Sequence, residues 1–83
     1  MKLTVKYFAS IREALGKGVE PVETTAATLA ELRDALILRG GAYAESLARG
    51  RAVRVALDQV MSDESALLAE GCEVAFFPPV TGG

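Results

Sequence analysis

The segment that decides the fold is residues 72–79, CEVAFFPP. Its first six residues have the composition of a β-strand, with Val74 and Phe76 on one face and Phe77 on the other. The Pro-Pro pair follows at once and ends sheet pairing, because proline has no backbone N–H to donate. The sequence therefore predicts a domain that finishes in a strand, followed by a segment that leaves the sheet.

A matching first strand is predicted over residues 2–9, KLTVKYFA. Leu3, Val5 and Tyr7 alternate with polar residues, which is typical of a half-buried strand. Phe8 breaks the alternation, which indicates burial at the strand end or a bulge. The first and last strands are too far apart in sequence for a hairpin, so side by side they pair in parallel in the middle of a mixed sheet.

Two helices are predicted between these strands. The S-x-x-E and T-x-x-E motifs that begin at Ser10 and Thr28 have the form of capping boxes, in which both side chains satisfy early backbone N–H groups. They predict a short helix over about 10–16 and the main helix over about 28–39. The main helix carries a leucine stripe that should pack on the sheet: Leu29, Leu32 and Leu36.

Residues 19–24 and 52–58 have strand character, residues 59–62 favour a short strand or a turn, and residues 42–49 favour a short helical turn. Pro21 lacks a donor for the ladder and places the first of these strands at a sheet edge. Periodicity by itself supports a mixed α+β domain of two layers.

Composition excludes most kinds of catalytic site. The chain has 83 residues, enough for one domain with a modest core. It has no His, which rules out His-based triads, dyads and metal sites, and a single Cys, which rules out a disulfide framework or a CxxC motif. The chemistry left to it uses carboxylates, Lys, Arg, hydroxyls, one thiol or the chain ends.

Charge and hydropathy argue against nucleic-acid and membrane partners. The formal net charge is −2, and no run of Lys or Arg is present. No apolar stretch is long enough to span a bilayer, and the first residues lack the features of a signal peptide. The expected location is the cytoplasm.

Residues 78–83, PPVTGG, are predicted to form a flexible tail on a domain of residues 1–77. Six extended residues reach roughly 20 Å, with prolines stiffening the base and glycines giving a slender tip. Such a tail suits a carboxylate delivered into the active site of another protein. Joined to AMP, the carboxylate of Gly83 becomes an acyl-adenylate that sulfur can attack, leaving a thiocarboxylate. A frayed chain end is the alternative reading of the same residues.

The ending EVAFFPPVTGG, residues 73–83, resembles the C-terminal signature of the molybdopterin synthase small-subunit family. The stretches YFASIREALG, residues 7–16, and VALDQV, residues 55–60, are similar to its N-terminal segment and central strand. Asp58 stands where Asn is common in the family, and Cys72 where an acidic residue is expected. The resemblance covers the whole chain and implies a ubiquitin-like β-grasp, with one main helix packed across one face of a mixed sheet.

The resemblance also implies a reaction cycle. An E1-like adenylating enzyme uses ATP to activate Gly83, and a sulfur donor converts it to 1-thioglycine. The tail then enters the large catalytic subunit of a heterotetrameric synthase and gives its sulfur to cyclic pyranopterin monophosphate, forming the molybdopterin dithiolene. The small subunit is non-catalytic in this scheme and binds no cofactor or metal. The tail residues that meet the partner are Pro78, Pro79, Val80 and Thr81, and Gly82 belongs with Gly83 to the reactive end.

Three residues outside the tail are candidates for partner binding. Phe77 and Met61 match positions that the family uses for its partners, and an aromatic side chain beside a functional tail is a plausible hot spot. The alternative is that Phe77 packs in a second core or at the sheet edge and contacts no partner. Arg12 is predicted near a helix start, where the helix dipole disfavours a cation, so it either meets a partner carboxylate or is a solvated charge.

Other functions stay open at this stage. A carrier for thiamine thiazole synthesis would end in the same glycines, and a protein modifier would join Gly83 to lysines of its targets. A passive interaction module would have an inert tail. Cys72 could carry a persulfide, although a thiol at a strand start is more often buried.

Overall fold

The computed structural model describes residues 1–79, which form a five-stranded sheet with three helices. The elements are, in chain order, β1 (Lys2–Tyr7), α1 (Ala9–Leu15), β2 (Val19–Glu23), α2 (Leu29–Ile37), α3 (Gly41–Leu47), β3 (Arg54–Leu57), β4 (Val60–Ser62) and β5 (Glu73–Phe77). Each strand and helix expected from the sequence is present, and each end lies within two residues of the expected one.

The strand order is β2-β1-β5-β3-β4, so β5 lies at the centre of the sheet. It pairs in parallel with β1, which confirms the predicted pairing of the first and last strands, and its other neighbour is the antiparallel β3. β2 is an edge strand, as its proline requires, because Pro21 pairs with Thr4 on one side only.

The core lies on one face of the sheet. Leu3, Val5 and Tyr7 of β1 are buried there, as the alternation predicts, together with Val74 and Phe76 of β5. The leucine stripe of α2 is almost fully buried against them. Burying one such leucine is worth about 1.5–3 kcal/mol, so the stripe is the main attachment of α2 to the sheet.

One of the two predicted capping boxes is present. Thr28 Oγ1 accepts a hydrogen bond from the Glu31 backbone N–H at 3.2 Å, and the Glu31 carboxylate accepts one from the Ala27 backbone N–H at 2.7 Å. The box predicted at Ser10 is wrong, because α1 begins at Ala9 and Phe8 is its N-cap, without a side-chain cap bond. The Phe8 carbonyl instead accepts hydrogen bonds from the Ile11 and Arg12 backbone N–H groups, at 3.2 and 3.3 Å, so the helix starts before Ser10.

A buried arginine that the sequence did not single out holds the end of α3. Arg33 of α2 is 3% exposed, and its Nε donates to the Leu47 carbonyl at 2.8 Å. Its Nη2 donates to the Ala48 and Arg51 carbonyls, and its Nη1 pairs with Glu64 at 2.7 Å. The planar guanidinium satisfies three carbonyls that follow one another along the chain, a task that suits arginine because of its fixed fork of donors.

A second polar cluster joins β1 and β2 to the helices. Glu20 accepts hydrogen bonds from the hydroxyls of Tyr7 at 2.7 Å and Tyr43 at 2.6 Å, and from Arg39 at 2.9 Å. Burial by itself raises the pKa of Glu20, but the hydrogen bonds from Tyr43, Arg39 and Tyr7 outweigh it and hold that pKa below its usual range. Burial, with the Glu20 carboxylate beside it, raises the pKa of Tyr7. Glu20 is therefore ionised and satisfied in the folded state.

Candidate functional site

The chain leaves the sheet from its central strand. β5 ends at Phe77, where Phe76 pairs with Tyr7 of β1 and Phe77 pairs with Arg54 of β3. Pro78 is half-buried and Pro79 is exposed. Because a central strand is held by ladders on both sides, the point where the following residues begin is fixed relative to the whole domain.

The sheet face turned away from the core carries two of the predicted partner-binding residues. Strand register places Phe77 and Ala75 of β5, Ala56 of β3 and Met61 of β4 on this outer face, since Ala56 pairs with both Ala75 and Met61. The two alanines are buried although they lie outside the core, whereas Met61 is 55% exposed. Small side chains in the middle and larger ones around them give a shallow apolar surface of the kind that receives a partner.

Phe77 is packed against a residue that the sequence analysis placed wrongly. Its ring stacks on that of Phe8, with centroids 4.6 Å apart and planes at 9°. Phe8 was expected to be buried at a strand end or in a bulge, but it is 39% exposed. The break in alternation at Phe8 was a real signal, but it marks a second aromatic side chain at the surface, beside the root of the tail.

One ion pair lies on the outer face. Lys6 Nζ is 3.2 Å from the Glu73 carboxylate, and both side chains are partly exposed. Pairs of this kind contribute about 0–1 kcal/mol to stability, so their charges remain available to a partner at low cost.

Arg12 lies in the last turn of α1 rather than near a helix start, because the helix runs from Ala9 to Leu15. The predicted position of Arg12 near a helix start is therefore wrong, and the helix dipole favours a cation where Arg12 lies. Arg12 is exposed, and within residues 1–79 its side chain has neither an ion pair nor a hydrogen bond. Its guanidinium is thus open to an acceptor from another molecule.

Pro78 and Pro79 also form one wall of a surface groove of about 460 Å³. Its other walls come from Ile11 and Ala14 of α1, from the end of α3 and from residues 51–53. Arg33 holds this last segment in place through its bond to the Arg51 carbonyl. The groove leads from the tail root onto the helical side of the domain, and its lining mixes polar and apolar side chains.

The thiol of Cys72 is 5% exposed and packs in the core. Asp58, the other departure from the family pattern, accepts a hydrogen bond from the Glu73 backbone N–H at 2.9 Å. Within the part of the chain that the structure describes, no cluster of three or more His, Cys, Asp or Glu has the geometry of a metal site. No helix among the same residues is long and apolar enough to cross a membrane.

The remaining predicted site residues, Val80, Thr81, Gly82 and Gly83, lie outside the described residues. The structure thus brings together Phe77 and Met61 on one face, adds Phe8 to them, and fixes the point from which the tail starts. Arg12 lies on α1, one helical turn after Phe8, and its backbone N–H donates to the Phe8 carbonyl at 3.3 Å. The binding roles of all these residues stay predictions.

Two sequence comparisons match nearly the whole chain to known proteins. The sequence model of the ThiS family matches residues 5–83. The chain is 37% identical over 81 residues to the molybdopterin synthase sulfur carrier subunit of Haemophilus influenzae, a match that covers 98% of this chain and 99% of that protein.

Two solved structures are similar over nearly their whole length. Small archaeal modifier protein 1 of Haloferax volcanii is 26% identical, with a TM-score of 0.77 over 95% of this chain and 98% of the other. A chain from the complex of subunits 1 and 2 of the Helicobacter pylori molybdopterin-converting factor is also 26% identical, with a TM-score of 0.70 over 100% of both chains. These neighbours confirm the predicted ubiquitin-like β-grasp fold.

Proposed function

The chain belongs to the ThiS family, and from that premise we propose that it is the sulfur carrier subunit of a molybdopterin synthase. The observation that carries the proposal is the match to a relative of that name over nearly the full length of both chains. Molybdenum cofactor biosynthesis is the pathway, and the cytoplasm is the proposed location. The subunit has no catalytic side chains of its own in this proposal.

The reagent is the carboxylate of Gly83, so the proposal requires that no residue follows it. An E1-like adenylating enzyme joins this carboxylate to the α-phosphate of ATP and releases pyrophosphate. A sulfur nucleophile then forms a C–S bond at the same carbon, and the bond to AMP breaks. A terminal glycine leaves the carbonyl unhindered for both steps.

The thiocarboxylate at Gly83 next serves as the nucleophile. The tail, from Pro78 to Gly82, extends into the large subunit, whose side chains catalyse sulfur transfer to cyclic pyranopterin monophosphate. Two such transfers supply the two sulfur atoms of the dithiolene. The fixed root of the tail at the end of β5 supports this role, since a reactive end delivered from a rigid point loses less conformational entropy on entering a channel.

We further propose that both protein partners dock on the outer face around Phe77, Phe8 and Met61. A partly exposed aromatic stack and a methionine on the same sheet face have the composition of an interface hot spot. Because both partners need the same tail, the adenylating enzyme and the large subunit bind one copy of the chain in turn. In the heterotetramer, two small subunits flank a dimer of large subunits.

A protein modifier is the second candidate function, because the Haloferax volcanii structure similar to this one is named as a modifier. It shares the adenylation step and differs in the acceptor, which would be a lysine amine of a target protein. A carrier for thiamine thiazole synthesis shares the step as well, and a passive module does not.

The test is an intact-mass measurement after incubation with an E1-like adenylating enzyme, ATP and a sulfide source. The expected product has one oxygen replaced by sulfur at Gly83, and this product should convert cyclic pyranopterin monophosphate to molybdopterin when the cognate large subunit is added. The matched control is the chain without Gly83, which should fold normally and gain no sulfur. Full activity of the truncated chain would overturn the carrier proposal, and attachment to lysines in place of pterin conversion would favour the modifier.

A further inference from the structure

Gly18, just before β2, occupies a place where a side chain would collide with Arg12. A Cβ built on Gly18 would lie 3.0 Å from Arg12 Nε and 3.3 Å from Arg12 Cδ. The backbone conformation of Gly18 lies outside the left-handed region, so any L-residue could adopt it. The arginine therefore occupies the space beside Gly18, and a Cβ there would push it aside by a few tenths of an ångström.

The backbone at Gly18 is held in place, so Arg12 is the group that would have to move. The Gly18 carbonyl accepts a hydrogen bond from the Tyr7 backbone N–H at 2.9 Å, which ties this residue to the end of β1. Arg12 is an exposed, flexible side chain without a polar partner in residues 1–79. A methyl group at position 18 would cost the fold little and would displace the guanidinium.

The surroundings of Arg12 favour an acidic ligand. The guanidinium lies in a shallow hollow that Ala9, Glu13, Gly16 and Lys17 also line. The Lys17 Nζ lies 5.8 Å from the centre of the Tyr43 ring, so that cation is drawn towards the aromatic ring. Arg12 is left as the group whose fork of donors can take a carboxylate in a bidentate pair.

We propose that Gly18 is a positioning residue, which lets Arg12 lie flat against the start of β2 and present its guanidinium to a carboxylate of the large subunit. The inference rests on the proposed function, because the large subunit is the partner it names. Packing against Gly18 restricts this otherwise flexible side chain, so it loses less freedom when it binds, and that saving appears as affinity. A Cβ at position 18 would shift the guanidinium by a few tenths of an ångström and would leave its charge and its donors in place.

The test is a double-mutant cycle of Gly18→Ala and Arg12→Ala, with affinity for the cognate large subunit measured by calorimetry. Arg12→Ala is expected to weaken binding about fivefold and Gly18→Ala about twofold, the range of a partly exposed charge contact. In the Arg12→Ala background the glycine substitution should have no further effect. The matched control is Gly50→Ala, where a Cβ has nothing within 4 Å and affinity should stay unchanged.

Melting temperatures of all variants separate positioning from folding, and Gly18→Val, with a larger side chain, should weaken binding further than Gly18→Ala. The inference is overturned if Gly18→Ala binds like the wild type, or weakens binding equally when Arg12 is absent. It is also overturned if Arg12→Ala leaves affinity unchanged. That last result would remove Arg12 from the proposed interface, whereas failure of the proposed function itself would be seen as absence of binding or sulfur transfer in the wild type.

Discussion

Replacing Phe77 with alanine should damage partner binding more than it damages the fold. Phe77 is half-buried, and its main aromatic contact is the stack with Phe8. Removing a fully buried phenylalanine costs about 3–5 kcal/mol, so a half-buried one with a stacked partner should cost about 2 kcal/mol. In a domain of this size, that loss corresponds to a fall in melting temperature of roughly 10 °C.

The same change at an interface hot spot costs at least about 2 kcal/mol of binding free energy, which is roughly thirtyfold in Kd. The loss of stability cannot imitate this effect. At roughly 0.05–0.15 kcal/mol per residue, the free energy of unfolding of the wild type is about 4–12 kcal/mol. Even at the low end, about 2 kcal/mol would remain, and more than about nine-tenths of the molecules would still be folded.

The assay is calorimetric titration of the large subunit with Phe77→Ala, alongside urea denaturation of the free chain. Val22→Ala is the matched control, because Val22 is buried in the edge strand β2 and its truncation should cost a similar amount of stability. The control should bind like the wild type. If Phe77→Ala loses stability but keeps its affinity, Phe77 is a packing residue and the outer face is not the docking surface.

Three other changes test the described residues. Arg33→Lys should lower the free energy of unfolding by about 3 kcal/mol, since one ammonium cannot satisfy the three carbonyls and Glu64 together; a loss below about 1 kcal/mol in urea denaturation would refute this role. Because the folded pKa of Glu20 is lowered, its stabilisation is present at pH 7 and is lost as pH falls below the ordinary glutamate range. The stability difference between wild type and Glu20→Gln should therefore shrink between pH 7 and pH 3, and a constant difference would contradict the assignment. Cys72→Ser should cost about 1–3 kcal/mol by burying a hydroxyl and leave sulfur transfer intact in the activation assay, whereas a folded but inactive variant would revive the persulfide alternative.

Local sequence patterns predicted most of the fold. Alternation identified β1 and β5, Pro21 identified an edge strand, and the Thr28 capping box located the start of α2. Each of these signals acts over a few neighbouring residues, so it can be recognised without the rest of the chain. The tail chemistry was read in the same way, from the glycines and prolines that end the sequence.

Only the tertiary structure decided which exceptions to those patterns mattered. Arg33 is buried because carbonyls 14 to 18 residues away converge on it, and Phe8 is at the surface because Phe77, far along the chain, stacks on it. The Ser10 motif did not cap α1 because the first helical hydrogen bonds go to the Phe8 carbonyl, which places Ser10 inside the helix. A short motif reports what its own backbone prefers, whereas the partner that satisfies a charge, a ring or an N–H is chosen by the fold.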